Sequence, residues 1–397
     1  MIPLFKQRRL YVIFSITIIA VMGVASITPA LPKMAEALEL SQSEIGWMIS
    51  VFTLPGVFLT PITGIIADRF GRKKVLFPSL LLFAVAGFSL YFVSDFKLML
   101  LFRFMQGIGA ASLPSLNTTL IGDFYHGKER PAAMGYNASV LSMATASYPL
   151  IGGLMAGIGW NFPFLLPLLA IPVAFFLYFG IKEPAIKKPT SIKQYFRAMG
   201  QTLFDKEIIT IFILGIFTFI IMYGAFITYL PFLLHEKFAL SAPQIGLMAS
   251  IGSLASIIVA TQIGKLTQRF GSITLLKIAF ILYIIVNIVF PYLNLLFLFI
   301  VPILLFGTAQ ALNMPSLQTM LANKAPDHLR GAFMSLNGMN LRLGQTLGPL
   351  IIGLGYTFYG LKGGYLLISG IGLVGLIMMF LVFNRNSKKN LLVSGEK

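Results

Sequence analysis

Two arginines lie inside long apolar stretches of the sequence, where a charged side chain is costly. Arg103 is about six residues into the stretch 97–119, and Arg342 is about ten residues into the stretch 332–356. At the helical rise, these depths are ~9 Å and ~15 Å within an apolar membrane core of ~30 Å. A charge at such a depth usually faces the protein interior and has a function. For Arg103 the alternative is structural, with the guanidinium bonding backbone carbonyls and bracing its helix.

The guanidinium of Arg342 needs partners other than carboxylates. Arginine stays protonated, and all 13 Asp and Glu residues fall in loops or at the ends of apolar stretches. Carbonyls, amides such as Gln345, water or an anionic ligand remain, and a bidentate pair with an anion is the strongest of these. We therefore expect a cavity that favours anionic, zwitterionic or neutral molecules. The remaining candidates for proton binding are Asp68, Asp123 and Glu44.

Other polar side chains within the apolar stretches are candidates for the same cavity. Amide and phenol groups inside a membrane must find hydrogen-bond partners, and we expect more than half of them to bond neighbouring helices. The others would line the cavity with Arg342 and Gln345. The candidates are Asn117, Tyr136, Asn137, Tyr223, Tyr229, Gln310, Asn313, Asn337 and Asn340.

The sequence lacks the residue groupings that enzymes need. Cysteine is absent, and the three histidines are scattered at positions 126, 235 and 328. No Gly-rich nucleotide loop and no cluster of a nucleophile, a base or metal ligands is present. We therefore expect no enzyme, no metal site and no bound cofactor.

The elements that carry the polar residues are predicted to be transmembrane helices. Of the 397 residues, 57% are hydrophobic and 11% are charged, against about 25% charged residues in soluble domains. Apolar stretches long enough to span a membrane occur at 11–32, 44–65, 75–94, 97–119, 132–156, 163–181, 208–234, 242–264, 275–295, 297–320, 332–356 and 363–384. The chain is therefore an all-α membrane protein with twelve spans, numbered here in order. Its net charge of +17 indicates a topology signal and not nucleic-acid binding.

The basic residues predict the orientation of these spans. With the N-terminus inside, 24 of the 30 Lys and Arg residues fall in cytoplasmic segments and 4 in outer loops. Basic residues are retained on the cytoplasmic side of a membrane. We expect both termini in the cytoplasm, and the short loops favour a bacterial inner membrane.

The sequence repeats itself at an offset of about 200 residues. Segment 114–118 resembles 315–319, segment 148–152 resembles 348–352, segment 68–71 resembles 268–271, and Asn137 aligns with Asn337. We expect two pseudo-symmetric six-helix bundles, 1–182 and 208–397, joined by a cytoplasmic linker at 183–207, with a short basic tail at the C-terminus. Parallel repeats of this kind are a transporter architecture, with the substrate site between the halves.

Three motifs resemble those of the major facilitator superfamily. The loop after span 2 reads GIIADRFGRKK over 64–74, which is similar to the signature loop of that superfamily. Span 4 carries RFMQGIGAA over 103–111, and span 5 carries YPLIGG over 148–153, similar to an antiporter motif whose upstream glycines are here Ala144 and Tyr148. Together they resemble the twelve-span drug–proton antiporter branch. The resemblance implies a major facilitator fold, a small-molecule substrate, a monomer, and the proton gradient as energy source.

The resemblance also implies roles for the motif residues. Asp68 would accept N–H groups at the start of span 11 and Arg72 would pair with Asp123, which forms a conformational latch together with Gly64, Arg69 and Gly71. Arg103 would take part in proton coupling, with Asp123 and Glu44 as further candidates.

The proline and glycines of span 5 would pack closely against span 8, although ordinary helix packing is an equal alternative. These residues are Pro149, Gly152 and Gly153, and the repeat aligns Gly348 and Pro349 of span 11 with Tyr148 and Pro149.

The predicted function is transport. We expect a secondary-active transporter that exports small amphipathic, neutral or anionic compounds by alternating access and proton antiport. A facilitator or importer of one metabolite without proton coupling is the alternative, and a membrane receptor is a remoter one.

Overall fold

The computed structural model describes residues 7–127, 129–181, 205–324 and 330–394. The predicted linker lies outside the described residues except for 205–207. Over the described ranges the regular structure is helical. The spans are 1, Arg8–Ala37; 2, Gln42–Phe70; 3, Arg72–Phe92; 4, Phe96–Phe124; 5, Glu129–Ile158; 6, Phe162–Gly180; 7, Lys206–Phe238; 8, Ala242–Ala260; 9, Ser272–Tyr292; and 10, Leu296–Lys324, followed by a helix that includes Leu336–Phe383.

The last helical segment contains two spans. A helix of 48 residues is ~72 Å long, more than twice the thickness of a ~30 Å membrane core. The backbone leaves helical geometry at Tyr359 (φ −139°, ψ 25°) and Gly360 (φ 60°, ψ −157°), a left-handed conformation that glycine adopts readily. Residues 336–358 are therefore span 11 and residues 361–383 span 12. The prediction of an all-α membrane protein with twelve transmembrane helices is confirmed.

Spans 1 and 7 are interrupted at positions related by the sequence repeat. Span 1 consists of an α-helix over Arg8–Ala25, a 3-10 turn over Thr28–Ala30 and a second α-helix over Leu31–Ala37. Span 7 consists of an α-helix over Lys206–Ile221, a π-helix over Met222–Tyr229 and an α-helix over Leu230–Phe238. Such breaks release backbone N–H and C=O groups from the regular α-helical hydrogen bonds, and they often mark functional positions.

The described residues form two compact units. The first contains those within Met1–Pro189 and Leu230–Ser250, and the second those within Thr190–Tyr229 and Ile251–Lys397. The first unit is packed around Phe52 and Phe83, whose rings meet edge to face at 6.5 Å. The second is packed around Tyr283 and Phe306, with ring centroids 5.2 Å apart. Residues 230–250, which belong to the second sequence repeat, thus pack with the first unit.

Candidate functional site

Arg103 is completely buried in the first unit and joins three spans. Its Nε donates to the Met48 carbonyl of span 2 at 2.9 Å, and its Nη1 donates to the Gly23 carbonyl of span 1 at 3.0 Å. Nη1 also donates to Oε1 of Gln106 at 2.7 Å, and the guanidinium lies 4.2 Å from the centre of the Phe52 ring. Two of these acceptors are backbone carbonyls, as expected if Arg103 has the structural role of bracing its helix.

The break in span 1 explains why Arg103 finds a free acceptor there. The N–H of Ile27 donates to the Val24 carbonyl at 3.2 Å, whereas a regular α-helix would pair it with Gly23. The released Gly23 carbonyl accepts from Arg103 instead. A buried carbonyl without a donor would be costly, so Arg103 stabilises the broken conformation of span 1.

The loop after span 2 carries a cluster of two acids around one arginine. Arg72 Nη2 lies 2.7 Å from Asp68 Oδ1, and Arg72 Nε lies 2.9 Å from Asp123 Oδ2 of span 4. The second contact is the pairing that the resemblance implied. Gly71 has φ 105°, which requires a residue without Cβ. The implied contact of Asp68 with the start of span 11 stays a prediction.

Arg69 and Gly64 of the same loop, and the proton-binding candidate Glu44, have surroundings that point to no specific function. Arg69 lies over the ring of Phe70 with its guanidinium carbon 5.6 Å from the centroid. A Cβ at Gly64 would meet nothing within 4 Å. Glu44 accepts from the backbone N of Ser41 at 2.9 Å and forms a capping box at the start of span 2, which is a structural explanation for this acid.

Arg342 is half-buried in the second unit, where span 11 packs against the interrupted part of span 7. Its Nη1 donates to Oε1 of Gln345 at 3.1 Å, the amide that the sequence suggested as a partner. A Cβ at Gly344 would lie 2.6 Å from the Ile216 carbonyl, and one at Gly348 would lie 2.8 Å from the Gly224 N. The two glycines therefore allow the backbones of spans 7 and 11 to touch, which brings Arg342 next to the π-helix.

Side chains from spans 9, 10 and 12 hold that π-helix. Tyr283 donates to Gln310 at 2.5 Å, and Gln310 donates to the sulfur of Met222 at 3.0 Å. The hydroxyl of Tyr365 donates to the Ala225 carbonyl at 3.2 Å. Tyr283, Met222 and Tyr365 were not predicted as site residues, although Tyr283 and Tyr365 are phenols within apolar stretches, as Tyr223 and Tyr229 are.

A threonine links two of the predicted amides in the first unit. Asn117 Nδ2 donates to Thr17 Oγ1 at 2.5 Å, and Thr17 donates to Asn137 Oδ1 at 2.6 Å. In the second unit Thr218 donates to Asn313 Oδ1 at 3.1 Å. Sequence reasoning missed both threonines, although their separation of about 200 residues matches the repeat and could have identified them.

The remaining cavity candidates differ in exposure. Tyr229 is fully buried with its ring 6.2 Å from that of Tyr356, and Tyr136 is 45% exposed. Asn337 and Asn340 of span 11 are partly exposed. Burial favours a packing role for Tyr229, whereas Tyr136 and the two amides are accessible.

The glycines of span 5 bring its backbone against spans 1 and 8. A Cβ at Gly152 would overlap the Ser26 carbonyl, at the break in span 1, and a Cβ at Gly153 would lie 2.5 Å from the Ala242 carbonyl at the start of span 8. A Cβ at Gly246 of span 8 would in turn overlap the Pro149 carbonyl. The structure thus shows close packing of spans 5 and 8. Gly348, next to Pro349 in span 11, also lies against the break in its neighbour, since its Cβ would be 2.8 Å from the Gly224 N of span 7; the repeat aligns Gly348 with Tyr148 and not with Gly152 or Gly153.

The chain is similar to known membrane transport proteins over nearly its whole length. The family model of the Major Facilitator Superfamily matches residues 13–344 and 212–397. "Multidrug resistance protein 2" of Bacillus subtilis is 25% identical over 385 residues, covering 93% of this chain and 95% of that protein. "Quinolone resistance protein NorA" of Staphylococcus aureus is 22% identical over 387 residues, covering 96% and 98%. The solved structure of nucleoside transporter NupG is similar with a TM-score of 0.77 at 16% identity, covering 95% of this chain and 98% of that one.

Proposed function

The chain belongs to the Major Facilitator Superfamily, and we propose that it exports small amphipathic, neutral or anionic molecules by alternating access. The family consists of membrane transporters and not enzymes. The observation that carries the proposal is the similarity, along nearly the full length, to proteins named for multidrug and quinolone resistance. The runner-up is a facilitator or importer of one metabolite.

The surroundings of Arg342 support the proposed preference for neutral or anionic substrates. Its described partner is the neutral amide of Gln345, and all 13 acids of the sequence lie in loops or at span ends. In a low-dielectric site a guanidinium attracts an anionic group more strongly than it attracts a water molecule. The same guanidinium would repel a cation, and the sequence places no acid in the interior of an apolar stretch to attract one.

The proposed energy source is the proton gradient, which the protein would use by proton antiport. The Asp68–Arg72–Asp123 cluster supports it, because two carboxylates around one guanidinium leave one negative charge that a proton can neutralise. Arg103, whose described contacts are structural, is the weaker candidate. We further infer from the distribution of Lys and Arg that both termini lie in the cytoplasm. The family and the bacterial relatives support a monomer in a bacterial inner membrane.

Transport by the purified protein in proteoliposomes tests this function. Matched anionic, neutral and cationic fluorescent compounds are supplied, with and without an imposed pH gradient. We expect anionic and neutral compounds to move against their concentration gradient when protons flow the opposite way, and a protonophore to abolish that movement. Transport that ignores the pH gradient would identify a facilitator. Selective transport of the cationic compounds would contradict the proposed substrate class.

A further inference from the structure

A histidine and a glutamate meet at the ends of spans 7 and 1. His235 Nε2 lies 2.8 Å from Glu36 Oε1, and His235 Nδ1 lies 3.0 Å from the Leu240 carbonyl. The His235 side chain is 33% exposed and that of Glu36 is 63% exposed. All three residues belong to the first unit, on the side of the membrane that the basic residues assign to the outside.

The two contacts of His235 require more protons than a neutral imidazole carries. A backbone carbonyl only accepts hydrogen bonds, and so does an ionised carboxylate. A neutral imidazole has one N–H, so one of its nitrogens would present a lone pair to an oxygen at about 3 Å. Both contacts become favourable when one more proton is bound, either on the imidazole or on the Glu36 carboxyl.

The acid next to His235 favours this extra proton, and the nearby lysine is bonded to other groups. Glu236, the next residue, interacts electrostatically with His235 and bonds the side-chain amide of Gln42. Lys33, the basic residue nearby on span 1, donates to the Ala156 and Gly157 carbonyls at 3.0 and 3.2 Å. It therefore caps the end of span 5. A cavity of about 260 Å³ lined by Lys33, Glu36 and His235 gives water access to the pair.

We propose that His235 and Glu36 form a proton-binding site that holds the outer end of span 1 to the outer end of span 7. The bound proton converts an acceptor-to-acceptor contact into a charge-assisted hydrogen bond. The contact is therefore strengthened as the external pH falls and weakened as it rises through the titration of the pair. This inference concerns the contact itself and does not depend on the direction or substrate of transport.

Spin labels at the two ends can test the site in the full chain without substrate. The sequence has no cysteine, so Ala37→Cys and Ala239→Cys place one label near each end, and dipolar broadening reports their separation in nanodiscs. For an exposed pair, we expect the ratio of close to distant populations to rise about two- to fivefold between about pH 8.5 and about pH 5.5.

Two variants of the pair and two matched controls make the result specific. Glu36→Gln supplies an amide that can donate to a neutral imidazole, so the labels should stay close at both pH values. His235→Gln should remove the pH dependence, because no titrating ring remains. The controls Glu39→Gln, an exposed acid three residues further along the chain, and His126→Gln, a histidine elsewhere, should behave as wild type. Equal pH dependence in wild type and His235→Gln, or none in wild type, would overturn the proposal.

Discussion

The close packing of spans 5 and 8 predicts that adding one methyl group at Gly153 separates the two helices. Its new Cβ would lie 2.5 Å from the backbone oxygen of Ala242. Ordinary contact begins at 3.4 Å, so Gly153→Ala requires a displacement of about 0.9 Å. The oxygen belongs to the backbone, and a side-chain rotation therefore cannot relieve the overlap.

The free-energy balance favours destabilisation. Overpacking of a close contact costs about 1–3 kcal/mol, whereas replacing glycine by alanine inside a helix contributes up to about 1 kcal/mol. Span 5 itself provides the comparison. A Cβ at Gly135 would meet nothing within 4 Å, and a Cβ at Gly157 would lie 3.1 Å from the Pro243 ring. We expect Gly135→Ala to stabilise slightly, Gly157→Ala to be intermediate, and Gly153→Ala to lower the unfolding free energy by about 1–2 kcal/mol.

Denaturant-induced unfolding of the three purified variants measures this series, and transport in proteoliposomes gives its functional consequence. A loss of about 1.4 kcal/mol from one conformation corresponds to a tenfold shift in its population. We therefore expect transport by Gly153→Ala to fall while Gly135→Ala transports normally. If Gly153→Ala is as stable and as active as Gly135→Ala, spans 5 and 8 do not rely on this contact.

Four further substitutions test the roles of three charged residues. Arg342→Ala should abolish binding of an acidic substrate and weaken binding of a neutral substrate less. Arg342→Lys should restore binding only in part, because lysine lacks the planar fork. Equal loss of binding for both substrates would show that Arg342 is a structural brace. Arg103→Lys should destabilise by about 1–3 kcal/mol in unfolding experiments through loss of donors to buried acceptors, and unchanged stability would contradict the bracing role. Asp68→Asn should leave the protein in the membrane and slow transport by up to ~30-fold, from a helix-end contact of ~0.3–2 kcal/mol; an unchanged initial rate would refute the latch.

Several contacts of the candidate site could be foreseen because they are local. Arg342 and Gln345 are three residues apart and share one helix face. Arg72 and Asp68 are four residues apart across the turn at Gly71, and their contact is also local although it was not predicted. The Arg72–Asp123 pair joins residues far apart in sequence, and only the resemblance to a family suggested it. The proposed roles of these residues remain predictions.

The membrane class, the twelve spans and the twofold repeat follow from the sequence alone. In hydrocarbon every backbone group must be paired within its own segment, so a sufficiently long apolar stretch has to be a helix. The distribution of basic residues predicts the orientation of the spans, because Lys and Arg are retained on the cytoplasmic side of a membrane. Neither inference requires knowledge of which helix touches which.

Which partner each buried polar group finds depends on how the helices pack. Arg103 meets the Gly23 carbonyl only because span 1 is broken there, and the meeting of Glu36 with His235 depends on residues 230–250 packing with the first unit. Hydrogen bonds need a donor and an acceptor within about 3 Å and in line. Such distances between residues 80 or 199 positions apart follow from helix packing, which a single sequence does not encode in any local pattern.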